Sequence, residues 1–185
     1  MIKVDNNIII LLITIIFFSG IYAMSSEKEK YSGYIYSVVI LSIFIFVVYM
    51  WAMYLQEEYR LQSDPKLKEL KTKVAPLFTK DKKYTGILSR INNRDVLNEI
   101  TLYKGDKSYT INKHKIYLCL TDEKDEYYND MMLMYVFLHE ISHALCNSIG
   151  HTDEFNQIFD ALLEEASTMS IYDSTYIPIQ NYCQY

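Results

Sequence analysis

Residues 131–151, MMLMYVFLHEISHALCNSIGH, decide how the rest of the chain is read. At their centre stands His139-Glu140-Ile141-Ser142-His143, an H-E-x-x-H sequence inside a long apolar run. Residues four apart on a helix lie one above the other, about one turn from each other. Both imidazoles can therefore reach a single ion, and tetrahedral zinc accepts nitrogen at about 2.0–2.1 Å. Glu140 follows the first histidine, so it projects beside the ion and is placed to take a proton from a metal-activated water. The run is apolar on every side, which predicts a buried helix. Buried polar groups need a compensating partner, and a metal supplies one. Three of the four histidines in the chain fall between positions 139 and 151.

A catalytic zinc site needs three protein ligands and one open position. His151 follows His143 by eight residues, past Gly150. Glycine takes positive φ without steric cost, so Gly150 is expected to end the helix and turn His151 back towards the ion. The alternative donor is Glu164 or Glu165 on the next helix, which would give a His2Glu site. Glu165 is the better placed of the two, and it could also hold a ligand imidazole in its tautomer. The metzincin spacing fails, because Cys146 and Ile149 stand where glycine and histidine are required. Thr152 is expected to cap that next helix, with Asp153 and Glu154 in its first turn. Phe155, Ile158, Phe159, Leu162, Ala166 and Met169 recur along it as one apolar stripe.

Upstream, 185 residues leave room for one domain of moderate size and something small. Residues 8–24 and 34–55 are apolar runs near the spanning length of about 20 residues. The first also resembles a signal peptide, but Ile21-Tyr22-Ala23 is a poor cleavage site. The expectation is a membrane anchor over residues 1–60, a helical hairpin with spans at 8–24 and 34–55, followed by a domain over 61–185. Lys28 and Lys30 lie between the runs, while Arg60, Lys66, Lys68, Lys71 and Lys73 follow the second. The richer side should be cytoplasmic. With the first run cleaved or retained, the C-terminal domain faces the same way. Cys119, Cys146 and Cys183 are an odd number without close spacing, which argues against disulfides and for a reducing compartment; Cys146 reads as core.

Asp64-Pro65 is a helix start, with Asp as cap and Pro at the first position, running towards Val74. Residues 60–83 hold eight basic and three acidic side chains, a patch suited to anionic headgroups or simply a solvated helix face. The net charge of −5 does not suggest nucleic-acid binding. A small sheet is expected from residues 99–103, 108–111 and 115–120. Asp125 or Asn129 is the candidate cap of the H-E-x-x-H helix. His114 reads as a loop residue. The last dozen residues, with Pro178, look extended. The fold class is α+β.

Residues 139–155, HEISHALCNSIGHTDEF, together with the strand at 116–120 and Leu162-Leu163-Glu164-Glu165-Ala166, resemble the zincin-type metallopeptidases of the WLM and SprT (Spartan-like) groups. The likeness is greatest to the small WLM-like proteins of large DNA viruses. It implies a zincin-like domain with His139, His143 and His151 as zinc ligands, Glu140 as catalytic base, and a protein or peptide substrate. It also implies a viral or host membrane for the anchor. The two apolar runs and the charge of 60–185 (15 basic, 18 acidic) depart from the DNA-repair members of these groups.

Overall fold

In the computed structural model, which describes Phe17, Ser19, Gly20, residues 32–180, Tyr182 and Cys183, the second apolar run becomes helix α1 (Ser32–Gln62). Within it, Tyr36–Gln62 has a mean hydropathy of 2.5. Its 27 residues extend about 40 Å, more than the roughly 30 Å of a bilayer's hydrocarbon. By length and composition α1 can cross a membrane. Ile40, Phe44 and Trp51 along it are exposed. The first expected span, 8–24, lies outside the described residues except for Phe17, Ser19 and Gly20, which are helical. Contacts divide the chain into two units, Met1–Glu57 and Glu58–Tyr185.

The second unit is mixed α and β. Helix α2 (Pro65–Val74) starts as expected, with Asp64 accepting from the Lys66 backbone N–H. It buries Leu67, Leu70 and Val74. Two 3-10 turns (Ala75–Phe78 and Gly86–Ile91) and a single turn, α3 (Val96–Glu99), lead to the strands β1 (Thr101–Lys104), β2 (Tyr109–Ile111) and β3 (Lys115–Leu118). Strand β3 lies in the middle, parallel to β1 and antiparallel to β2. The register puts Tyr103, Tyr117 and Tyr109 in one row, and their rings stack at 4.8 and 4.7 Å. Side chains alternate across a strand, so the neighbouring row, Leu102, Ile116 and Thr110, takes the opposite face. Leu102 and Ile116 are buried.

Helix α4 (Asp130–Leu145) is capped by Asn129, whose side chain accepts from Met131 N–H. Eleven of its sixteen residues are buried. Asp130 at its start accepts from both Lys66 and Lys73 at 2.6 Å, which ties α2 to α4. The carboxylate also lies where the helix dipole favours negative charge. Of the basic residues at 60–83, Lys66, Lys73, Lys80 and Lys82 are thus engaged with carboxylates. Helix α5 (Asp153–Thr168) follows, with Thr152 accepting from Phe155 N–H. Phe155, Ile158, Phe159, Leu162 and Ala166 form its buried stripe, and Met169 packs at the edge of the core.

Two expectations are corrected. Gly150 does not end α4, which stops five residues earlier at Leu145 with Cys146 extended. Distant side chains take over the terminal carbonyls there. Arg90 Nη1 donates to Leu145 O at 3.1 Å, and Lys113 Nζ donates to Cys146 O and, at 2.8 Å, to Asn147 O. Gly150 sits further on, at φ 84°, inside the loop. The second correction concerns the cysteines. Cys119 and Cys183 form a disulfide, with Cα atoms 6.4 Å apart, while Cys146 is free and buried. Their sequence separation of 64 leaves no local spacing to read, and only the return of the C-terminal segment past β3 brings them together. The argument from cysteines to a reducing compartment therefore falls. Thiol titration of the denatured, unreduced chain is expected to find one thiol, Cys146, and three after reduction. Three before reduction would contradict the bridge.

Candidate metal centre

Helix α4 places His139 and His143 one turn apart on a single face, with ring centroids 4.9 Å from each other. The loop after α4 brings in His151, whose ring lies 5.0 Å from His139 and 4.9 Å from His143. One ring nitrogen from each falls within 4.8 Å of the others, and Nε2 of His151 is 3.0 Å from Nε2 of His139. Three nitrogens on a tetrahedral zinc sit about 3.3 Å from one another, given bonds of about 2.0–2.1 Å. The group is thus close to the size of one coordination sphere, before any ion draws it in.

Phe155, in the first turn of α5, backs all three rings. It stacks on His143 at 4.2 Å and meets His139 and His151 edge-on, each at 4.8 Å. Phe159 adds a second edge against His139 at 5.1 Å. This apolar backing favours the neutral form of His139 and His143. Burial, then the neighbouring His143 and His151, pushes the pKa of His139 down to about 4. Burial, His151 and Lys113 push His143 down as well. A neutral imidazole keeps the lone pair that a metal requires.

Glu140 is buried, 4% exposed. Thr110, on the sheet face shared with Ile116, donates its Oγ1 proton to Glu140 Oε2 at 2.7 Å, and the same oxygen lies 3.0 Å from the Glu140 carbonyl. Burial raises the Glu140 pKa to about 7, against the opposing hydrogen bond from Thr110. A carboxylate near neutrality is suited to proton transfer at physiological pH.

Two clefts meet at His139 and Glu140. One, of about 990 Å³, is walled by Met132, Tyr135 and Val136 of α4 and by Pro178, Ile179 and Tyr182 of the C-terminal segment. The other, of about 700 Å³, runs between Tyr109 and Lys113 on one side and the 148–151 loop on the other. Tyr182 OH donates to Cys119 O, which together with the disulfide pins the C-terminal wall.

The structure does not bring every candidate together. Glu165 leaves the site for an ion pair with Lys82, and Glu164 is exposed. The cluster that could hold an ion contains His139, His143 and His151. His114 is exposed in the turn before β3, with Nδ1 3.3 Å from Glu99 O. Thr110, Arg90 and Lys113 were not singled out in the sequence. The alternation through Tyr109-Thr110-Ile111 marks Thr110 as facing opposite to its neighbours, whereas nothing local signals the other two.

No protein-family model matches the chain. It is 50% identical over 105 residues to uncharacterised protein 136R of Invertebrate iridescent virus 6, taking in 55% of this chain and 59% of that protein. It is 40% identical over 99 residues to uncharacterised protein 042R of Invertebrate iridescent virus 3, with shares of 53% and 62%. A third match, 35% over 102 residues, is to uncharacterised protein R325 of Acanthamoeba polyphaga mimivirus, with shares of 51% and 49%. These matches cover between about half and three-fifths of each relative's length. No solved structure matches.

Proposed function

We propose that the chain is a membrane-anchored, zinc-dependent metallopeptidase of the zincin type, related to the WLM and SprT groups. One observation carries the reading: three imidazoles converge within 4.8 Å of one another, beside a buried glutamate, at the junction of two clefts. His139, His143 and His151 would hold Zn2+. When bound there, the ion would supply Lewis acidity, polarising a peptide carbonyl and acidifying water. Glu140 accepts the proton of the attacking water and delivers it to the leaving amine, with Thr110 orienting the carboxylate. The clefts on either side give an extended peptide somewhere to lie. The slight acidic excess of 60–185 (15 basic, 18 acidic) favours a protein or peptide substrate over nucleic acid.

The competing reading is a structural zinc in a non-catalytic binding module. Structural sites are usually closed by a fourth protein ligand. Cys146 and Cys183 are the candidates for that fourth ligand, but Cys183 is bonded to Cys119 and Cys146 Sγ lies 3.2 Å from Glu154 Oε2. Glu140→Gln removes the base while keeping size and helix propensity. The variant is expected to keep about one zinc per chain and to lose peptide hydrolysis by about 10²–10⁴-fold. His143→Ala is expected to lose the metal as well. Unchanged hydrolysis by the Gln variant would end the peptidase reading.

The anchor is proposed as a two-span hairpin with the domain on the cytoplasmic side of a viral or host membrane. The support is the excess of Lys and Arg after α1 over the connector before it. The disulfide pulls the other way, because such bonds persist in oxidising compartments. The charge asymmetry is given precedence because it acts during insertion, before the domain folds. Anionic headgroups near 60–83 remain a proposed contact, with fewer free lysines than the count suggests. A C-terminal tag in sealed vesicles with the cytoplasmic face outward is expected to be digested by added protease. A protected tag would reverse the orientation.

A further inference from the structure

The 146–152 loop that delivers His151 has little apolar burial to shape it. Ile149 is 94% exposed, and Gly150 holds a positive φ of 84°. Its conformation comes instead from one carboxylate. Glu154 accepts from the backbone N–H of Asn147 at 3.3 Å and of Ser148 at 3.1 Å, from Ser148 Oγ at 2.9 Å and from Cys146 Sγ at 3.2 Å. Ser148 Oγ in turn lies 2.7 Å from the Thr152 hydroxyl that caps α5. The loop is therefore wrapped around the Glu154 side chain.

Glu154 is itself held from elsewhere in the chain. Arg90 Nη1 donates to Glu154 Oε1 at 2.7 Å and to Leu145 O at 3.1 Å, while Arg90 Nε donates to Ile87 O at 3.1 Å. One guanidinium thus joins a 3-10 turn, the end of α4 and the start of α5. It holds the Glu154 carboxyl well below the usual carboxylate range, with Cys146 and Ser148 adding to the effect. From the other side, Lys113, at an unfavourable φ of 62°, reaches Cys146 O and Asn147 O. A non-glycine residue at positive φ persists only where its surroundings demand it.

We propose that Glu154, clamped by Arg90, is a positioning residue that sets His151 at the metal. The inference rests on the metal-centre reading above and assigns the third ligand's geometry to a carboxylate that does not itself bind the ion. His139 and His143 are carried by α4, buried over most of its length, and not by this loop. The role is therefore specific to one ligand, and that specificity is what an experiment can read.

The test is a double-mutant cycle on the full chain in detergent, with zinc affinity measured by competition against a chromophoric chelator. Circular dichroism checks the fold of each variant. Glu154→Ala is expected to weaken zinc binding roughly 10–100-fold, as loss of a ligand's supporting partner does. In a His151→Ala background the same substitution is expected to change affinity by no more than about twofold, because the ligand it positions is gone. Glu154→Gln should fall between, keeping an acceptor but losing the ion pair with Arg90. If Glu154→Ala does not fold, Glu154→Gln and Arg90→Lys take its place in the cycle. Unchanged affinity in Glu154→Ala would overturn the proposal. So would an equal loss in both backgrounds, which is the signature of a general structural effect. A wild-type chain that binds no zinc would overturn the metal centre and this inference together, whereas the first two results leave the metal centre standing.

Discussion

The structure of the C-terminal unit depends on bringing three imidazole nitrogens to one point, two of them half-buried and one exposed. His139 and His143 come from a helix that is buried over most of its length, and His151 from a loop that is largely exposed. Phe155 touches all three rings, and burial favours the neutral form of His139 and His143. His139 Nε2 and His151 Nε2, 3.0 Å apart, share one hydrogen bond. On the proposed reading, a divalent cation would take the place of that bond and bind all three rings. The sheet answers to the same constraint, since its register turns Thr110, rather than Tyr109 or Ile111, towards Glu140.

Local chemistry was legible in the sequence wherever the determinants lie within a few residues. Asp64, Asn129 and Thr152 each cap the helix they precede, because a short polar side chain satisfies an orphan N–H of the first turn. The stripe from Phe155 to Ala166 follows from helical period alone. The close grouping of His139 and His143 is fixed by four-residue spacing on a helix. What escaped sequence reasoning depends on partners 30 or more residues away. Arg90 ends α4 and holds Glu154, and Cys119 meets Cys183 across the fold. Gly150 carried a correct local signal, a positive φ, but the helix had already ended under the pull of Arg90 and Lys113. The pairing of β3 between β1 and β2 likewise has no local mark, because alternation fixes faces and not neighbours.

The disulfide changes how the C-terminal segment is understood. Cys183 and Tyr182 fasten it to Cys119, and Pro178 and Ile179 then form one wall of the cleft beside Glu140. A segment that looked merely extended in sequence becomes part of the groove. The viral relatives share between 35% and 50% identity over about 100 residues, which describes kinship without supplying an activity. The functional reading therefore stands on the site itself.

The most direct measurement is X-ray absorption at the zinc edge on the purified full chain. Three imidazole nitrogens from His139, His143 and His151, with one further light-atom ligand, should give a first shell at about 2.0–2.1 Å and the outer-shell pattern of ring scattering. A sulfur shell at about 2.3 Å, or a first shell with fewer than three imidazoles, would contradict the account.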